Sequence, residues 1–144
     1  MFRFVVSRFG FLKHIPIVPQ VYDALLKIQL FFTNQNLLDC LDDVEEAVCT
    51  WNEVTVSMHK YGGTQFNLRS QELGHLHGNG LLDVLLNRQL KAELMQHPAV
   101  REHHIFKNSG WVSLWIKTPA DTLLAISILE SAYAFRKNAA LTTP

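Results

Sequence analysis

Cysteine is scarce in this chain of 144 residues, which has only Cys40 and Cys49. If residues 36–49 form a helix, as the periodicity below predicts, the two thiols sit about 13 Å apart on opposite faces. They cannot pair with each other, and two unpaired thiols suit a reducing compartment. Neither sign of charge is in excess, since thirteen Lys and Arg balance thirteen Asp and Glu. That balance removes any general field for nucleic acid. Long apolar runs are also missing, and nothing approaches the ~18 uninterrupted residues of a membrane-spanning helix. The first seventeen residues are apolar and aromatic but broken by Arg8, Gly10 and Lys13. They lack the clean apolar core and small-residue cleavage site of a secretory signal, so they are expected to be retained. The few glycines spell no phosphate loop or dinucleotide fingerprint, which excludes nucleotide binding. Ser109 has no nucleophile-elbow context. No internal repeat and no low-complexity tract is present.

A chain of this length can bury its own core as one domain. Residues 1–35 read as a basic, aromatic-rich N-terminal arm, with Arg3, Arg8, Lys13 and Lys27 against Asp23 alone and six phenylalanines. Such an arm covers a core, mediates self-association, or lies at a membrane interface. Within it, Tyr22 to Phe32 is expected to be a short helix. Residues 36–138 read as the α+β domain and 139–144 as a frayed tail.

From Asn36 the pattern sharpens. Leu37, Leu41, Val44 and Val48 recur at helical spacing, with Asn34 or Asn36 as the cap and the acids on the outer face. Residues 53–59 alternate and are β-branched, a strand. Tyr61-Gly62-Gly63 forms a turn, and 64–69 completes a hairpin. Residues 72–77 and 81–86 read as two more strands around Gly78-Asn79-Gly80, whose glycines are expected to supply positive-φ positions. A helix follows from Asn87 or Arg88 to about His97, then one or two strands within 103–116. Thr118-Pro119-Ala120-Asp121 is a strong helix start, and the last helix carries Leu124, Ile128 and Ala132 inward. The order predicts an α+β, two-layer sandwich, with a mostly antiparallel sheet and helices packed on one face.

Six of the seven histidines fall between 59 and 104. In a strand, His75 and His77 point to one face with Cα atoms about 7 Å apart. That spacing serves a metal, with Asp83 as the third ligand (His75, His77, Asp83), or a metal-free pair acting as base and oxyanion donor. Glu72 is a weaker orienting carboxylate, because regular alternation turns it away from His75. His59 and Tyr61 stand at the adjoining turn. His103 and His104 point to opposite faces if extended, so one at most joins the site, and His104 is assigned to it. Trp111 and Trp115, four apart on one strand, share a face and read first as core, then as walls of an aromatic pocket.

The ordered words H-K-Y-G-G-T-Q-F (59–66), E-L-G-H-L-H-G (72–78), L-L-D (81–83), Arg88, H-H-I-F (103–106), S-G-W-V-S (109–113) and D-T-L-L-A-I-S-I-L-E-S-A-Y (121–133) resemble the luciferase-domain family. This group of small bacterial and fungal proteins includes the fungal luciferases. The resemblance spans roughly 50–137 and departs at Lys60-Tyr61, where Arg-Phe is the family's usual pair. It implies an oxygenase or decarboxylase acting on a small aromatic or enolic molecule, as fungal luciferases act on hydroxylated pyrones. Molecular oxygen would be the co-substrate, with no added organic cofactor. It also implies that an N-terminal membrane-associated segment is compatible with the fold. Combined with the residue reading, it makes His75, His77, Glu72, Asp83 and His59 the candidate catalytic set. Trp111, Trp115, Tyr61 and His104 are the candidate substrate contacts. The expected location is cytoplasmic or membrane-peripheral. A non-enzymatic interaction module and a metal enzyme are the rival readings.

Overall fold

A computed structural model describes residues 17–141. Residues 1–16 of the N-terminal arm and the last three residues of the expected tail lie outside them. Four helices and six strands follow in the order α1 (Val18–Thr33), α2 (Gln35–Cys49), β1 (Val54–Met58), β2 (Thr64–Leu68), β3 (Gln71–Leu76), β4 (Leu81–Leu85), α3 (Arg88–Leu94), β5 (Val100–Glu102), β6 (Trp111–Trp115) and α4 (Pro119–Leu141). Every strand pairing is antiparallel, and the sheet order is β1-β2-β3-β4-β6-β5. This is the expected α+β architecture.

Helix ends follow local chemistry. Asn34 Oδ1 accepts the Leu37 N–H and caps α2, and Asn87 Oδ1 does the same for Leu90 at the start of α3. At α4, Asp121 Oδ2 accepts from the Lys117 and Thr118 N–H groups, while Thr118 Oγ1 accepts from Asp121 N. That reciprocal pair satisfies donors a helix start would otherwise leave open. Helix α4 continues to Leu141, past the point where fraying was expected, and α3 ends three residues earlier than its pattern implied.

Helices α2 and α4 cover one face of the sheet. Leu41, Val44 and Val48 of α2 meet Ala125, Ile128 and Leu129 of α4 over Phe66, Leu76, Leu82, Val84, Val112 and Leu114, all buried. The strand residues are the even-numbered ones of each ladder, as a period of two requires. Each fully buried Leu contributes roughly 2 kcal/mol of apolar transfer, so this face carries most of the fold's stability. Cys40 is buried within it and Cys49 is exposed, both as free thiols.

Helix α1 is longer than the Tyr22–Phe32 segment expected, and it docks across the end of the sheet where the two glycine turns lie. Asp23 Oδ1 accepts the Gly78 N–H at 2.7 Å, Gln20 Nε2 donates to the His59 carbonyl at 3.3 Å, and Lys27 pairs with Glu45 at 2.8 Å. Gly62 and Gly63 take φ of 86° and 94°, the left-handed region expected of them. Gly78 departs from that expectation, because only Gly80 of its turn has positive φ. Gly78 is instead small because a Cβ there would stand 3.0 Å from the Asp23 carbonyl oxygen.

Candidate functional site

The other face of the same sheet is polar where it meets the middle strands. Antiparallel register lines up Gln65, His75, Asp83, Ser113 and Arg101 across five strands. At the centre of this row Asp83 is 1% exposed. Its Oδ1 accepts a short hydrogen bond from Ser113 Oγ. Its Oδ2 lies 3.5 Å from His75 Nε2, 3.7 Å from His103 Nε2 and 3.9 Å from His77 Nε2. Three imidazoles thus surround one carboxylate oxygen.

Glu72 reaches the same place through an irregularity that its spacing did not predict. The β2–β3 ladder pairs Phe66 with Gly74 but Asn67 with Glu72, so Leu73 is an extra residue. This β-bulge shifts the alternation by one and brings Glu72 onto the face of His75. Regular alternation placed the two on opposite sides; the bulge corrects that. Glu72 Oε1 is 2.6 Å from His75 Nδ1. His75 therefore sits between two carboxylates, one at each ring nitrogen.

The turn after β1 adds a fourth imidazole, against His75 and His77. His59 lies flat on His75, with ring centroids 3.7 Å apart and planes within 10°, and its Nδ1 is buried without a partner among the described residues. His77 stands edge-on to both rings and is the most open of the three, its side chain 21% exposed. Trp111 packs 5.3 Å from His75 and 5.9 Å from His103, as one wall.

Electrostatics divides these rings into two kinds. Burial opposes charging His75, but hydrogen bonds and attraction from Asp83 and Glu72 outweigh it and raise its pKa. Burial, reinforced by repulsion from His75, lowers His59 and His77 to about 4 each. Burial also lowers His103. Burial would raise both carboxyls; hydrogen bonds from His75 to each, and from Ser113 to Asp83, pull them below their ordinary range. Of the four rings, His75 is the one whose charged form the two carboxylates favour, while burial holds His59, His77 and His103 toward the neutral form. His103 has a defined tautomer: Ile105 and Phe106 N–H groups both donate to its Nδ1, so its proton is on Nε2, facing Asp83.

Of the residues expected from the sequence, His59, Glu72, His75, His77 and Asp83 come together, with Trp111 beside His75 and Tyr61 edge-on to His59 at 5.6 Å. His104 and Trp115 do not join them; both are exposed, and it is His103 that faces Asp83. Two members escaped the sequence reading. Ser113 lies between Trp111 and Trp115 on the same period-two face, and that parity was the signal for it. His103 is out of register with any pattern, because β5 ends at Glu102.

A metal would have to find its ligands among these same side chains. Among the described residues, His59, His75 and His77 each offer a nitrogen within 4.8 Å of the others, and the expected trio with Asp83 does not meet that spacing. The His59 and His75 rings lie in stacked, nearly parallel planes, so an ion in the plane of one ring is out of the plane of the other, whereas imidazoles bind an ion in their own plane. Both nitrogens of His75 already face carboxylates. As arranged, the residues fit a proton better than an ion.

An α+β protein with a buried histidine–carboxylate cluster on the face of its sheet opposite α2 and α4 is the class these features define. Residues 70–132 match the luciferase domain, the family that the ordered sequence words resemble. The matched segment runs from β3 into α4 and contains Glu72, His75, His77, Asp83, His103, Trp111 and Ser113, while His59 and Tyr61 precede it. No curated protein and no solved structure matches the chain.

Proposed function

We propose that the cluster is an acid–base site for the oxygen-dependent oxidation of a small neutral enol or phenol, without an organic cofactor or a metal. The observation that carries it is the Glu72–His75–Asp83 bridge, an imidazole whose charged form two carboxylates favour, beside the neutral and more open His77. Two carboxylates against a single imidazole that favours its charge leave the site net negative, which favours a neutral substrate over an anion. His77 takes the proton of the enol. The carbon so activated passes two electrons to molecular oxygen and forms a C–O bond, leaving a peroxide anion. His75 protonates that anion, giving a hydroperoxide. Asp83 Oδ2, within 3.5 and 3.9 Å of both rings, returns the proton from His77 to His75. Where the peroxide then closes on a ring carbonyl, carbon dioxide is lost. Trp111 walls the ring, and Ser113 and His103 hold the Asp83 carboxylate.

The test is oxygen uptake with a panel of hydroxylated pyrones and phenols, with carbon dioxide measured alongside. His75→Gln and His77→Gln should each lower the rate by about 100-fold, the usual worth of a positioned acid or base. Uptake that both variants leave unchanged overturns the mechanism. Purified protein holding near one equivalent of iron, zinc or manganese would replace it with the metal reading.

A second reading concerns partners and rests on α1. Its only charges, Asp23 and Lys27, are bound inward to Gly78 and Glu45. Val21, Leu25, Ile28 and Phe32 face outward, 51–79% exposed, and Ile17 continues the stripe. The preceding residues 1–16 carry three Lys or Arg and no acid. We infer that this face lies on an anionic lipid surface, where an uncharged apolar stripe and adjacent cations both gain. The full chain should co-float with vesicles of 30% anionic lipid (a composition of about this order suffices), and Leu25→Glu with Ile28→Glu should abolish it. A dimer in solution that the same variant splits would overturn the lipid assignment in favour of a second copy.

A further inference from the structure

At the end of the sheet away from α1 lies an open cavity of about 470 Å3, lined by Leu68, Ser70, Leu85, Asn87, Phe135 and Arg136 among others. That volume is in the range of small-molecule sites. Its two arginines are in different states. Arg69 is spent in a two-pronged pair with Glu53 at 3.0 Å. Arg136 is half-buried, and no carboxylate pairs with it among the described residues; its one hydrogen bond goes from Nη1 to the amide oxygen of Gln71 at 3.0 Å. The nearest acid acting on it is Glu72, whose carboxylate is already committed to His75. A guanidinium offers five N–H donors, so four of Arg136's remain beyond the Gln71 bond. Burial weakens its hold on its charge, as expected of a cation short of a counter-ion.

Around that cation the lining has two halves. Phe135 stands 44% exposed beside Arg136 on α4, and Leu68, Leu85 and Leu86 give an apolar floor. The Asn87 side chain uses its oxygen to cap α3, which leaves its amide donors, and Ser70 adds a hydroxyl. Cationic fork, neutral donors and an apolar wall with an aromatic edge are the parts that recognise a carboxylate on a planar or aliphatic body. We propose that this cavity is a binding site for a small organic carboxylate, held by Arg136 through a bidentate ion pair and by Phe135 through ring contact. It is separate from the histidine cluster, whose net negative charge repels the ligand that Arg136 attracts.

Titration of 15N-labelled protein with trans-cinnamate, and with cinnamamide as its uncharged counterpart, tests this. Cinnamate should saturate with Kd on the order of a millimolar. Its shifts should centre on residues 68–71, 85–87 and 135–136. Cinnamamide, and Arg136→Met titrated with cinnamate, should each bind about tenfold more weakly. The amide comparison is made on the unaltered chain, so it stands even if the variant folds poorly. Equal affinity for acid and amide, no saturation by cinnamate, or shifts centred on His77 and Trp111 instead would each overturn the assignment.

Discussion

Two faces of one sheet, built by alternate residues of the same strands, carry opposite chemistry. On the helix side the central row reads Phe66, Gly74, Val84 and Val112; one residue along, on the other side, it reads Gln65, His75, Asp83 and Ser113. Both sets are buried at the centre, Val84 and Asp83 each to 1% exposure. The apolar row needs only volume to be stable. The polar row needs a partner for every lone pair and proton, which is why Asp83 is ringed by three imidazoles and a hydroxyl. Stability therefore resides on one face and the pH-sensitive chemistry on the other, separated by the thickness of a backbone.

The largest test of that division is Leu82→Ala. Leu82 is fully buried against α2 and α4 and immediately precedes Asp83 in β4. The variant should lose about 3 kcal/mol in chemical denaturation, the ordinary cost of such a cavity. If the faces are independent, the variant's imidazole NMR signals should keep their native titration while folded. Shifted titration would show that the core sets the cluster geometry directly.

Next in size is the pH dependence of stability. His59 drops from 6.5 unfolded to about 4 folded, so between those values the unfolded chain binds more protons. Stability from this group is complete above about 6.5 and is lost as pH falls toward 4, by up to about 3 kcal/mol. His75 has the opposite sign: its raised pKa contributes fully below about 6.5 and is lost as pH climbs through the folded value. Denaturation midpoints should therefore fall on both sides of a maximum near neutrality. His59→Phe, which keeps the stacking on His75, should flatten the acid limb while leaving the alkaline limb; Leu82→Ala should lower both limbs evenly. An unchanged acid limb in His59→Phe would mean that His59 is not the buried neutral group described.

Much of this contrast was legible before any coordinates. Period two put His75 and His77 on one face and Trp111 with Trp115 on one face, and helical spacing found α2 and α4. What escaped was what period two cannot encode. The bulge at Leu73 is one residue of backbone irregularity without a residue-type signature, so Glu72 fell on the wrong side. Trp115 shares the face of Trp111 but stands at its exposed end, because face membership does not give position along the strand. His103 and His104 are adjacent beyond the end of β5, where no alternation holds; backbone N–H groups of Ile105 and Phe106, not side-chain pattern, turn His103 inward. Outer α1 read as a mixed arm because its charges are few, and only docking shows that both of them, Asp23 and Lys27, face the domain.

The smallest effect isolates a single contact across the polar row. Ser113→Ala removes the hydroxyl that donates to Asp83 Oδ1 and changes little else, since Ser113 is buried and its backbone stays in the β4–β6 ladder. Loss of one hydrogen bond to a charged group should cost about 1–2 kcal/mol. The cost should depend on pH, and this separates it from a packing defect. Ser113 helps hold Asp83 below its usual range, so without it the Asp83 pKa rises. The destabilisation should be full above about pH 4 and shrink as pH falls through the folded Asp83 value, where the carboxyl becomes protonated and the lost donor no longer matters. A truncation on the apolar face, Val84→Ala, which removes two buried methyl groups, should instead carry a cost that does not change with pH. If Ser113→Ala behaves like Val84→Ala, with the same penalty at pH 3 as at pH 7, Ser113 is packing and the polar row is held by its histidines alone.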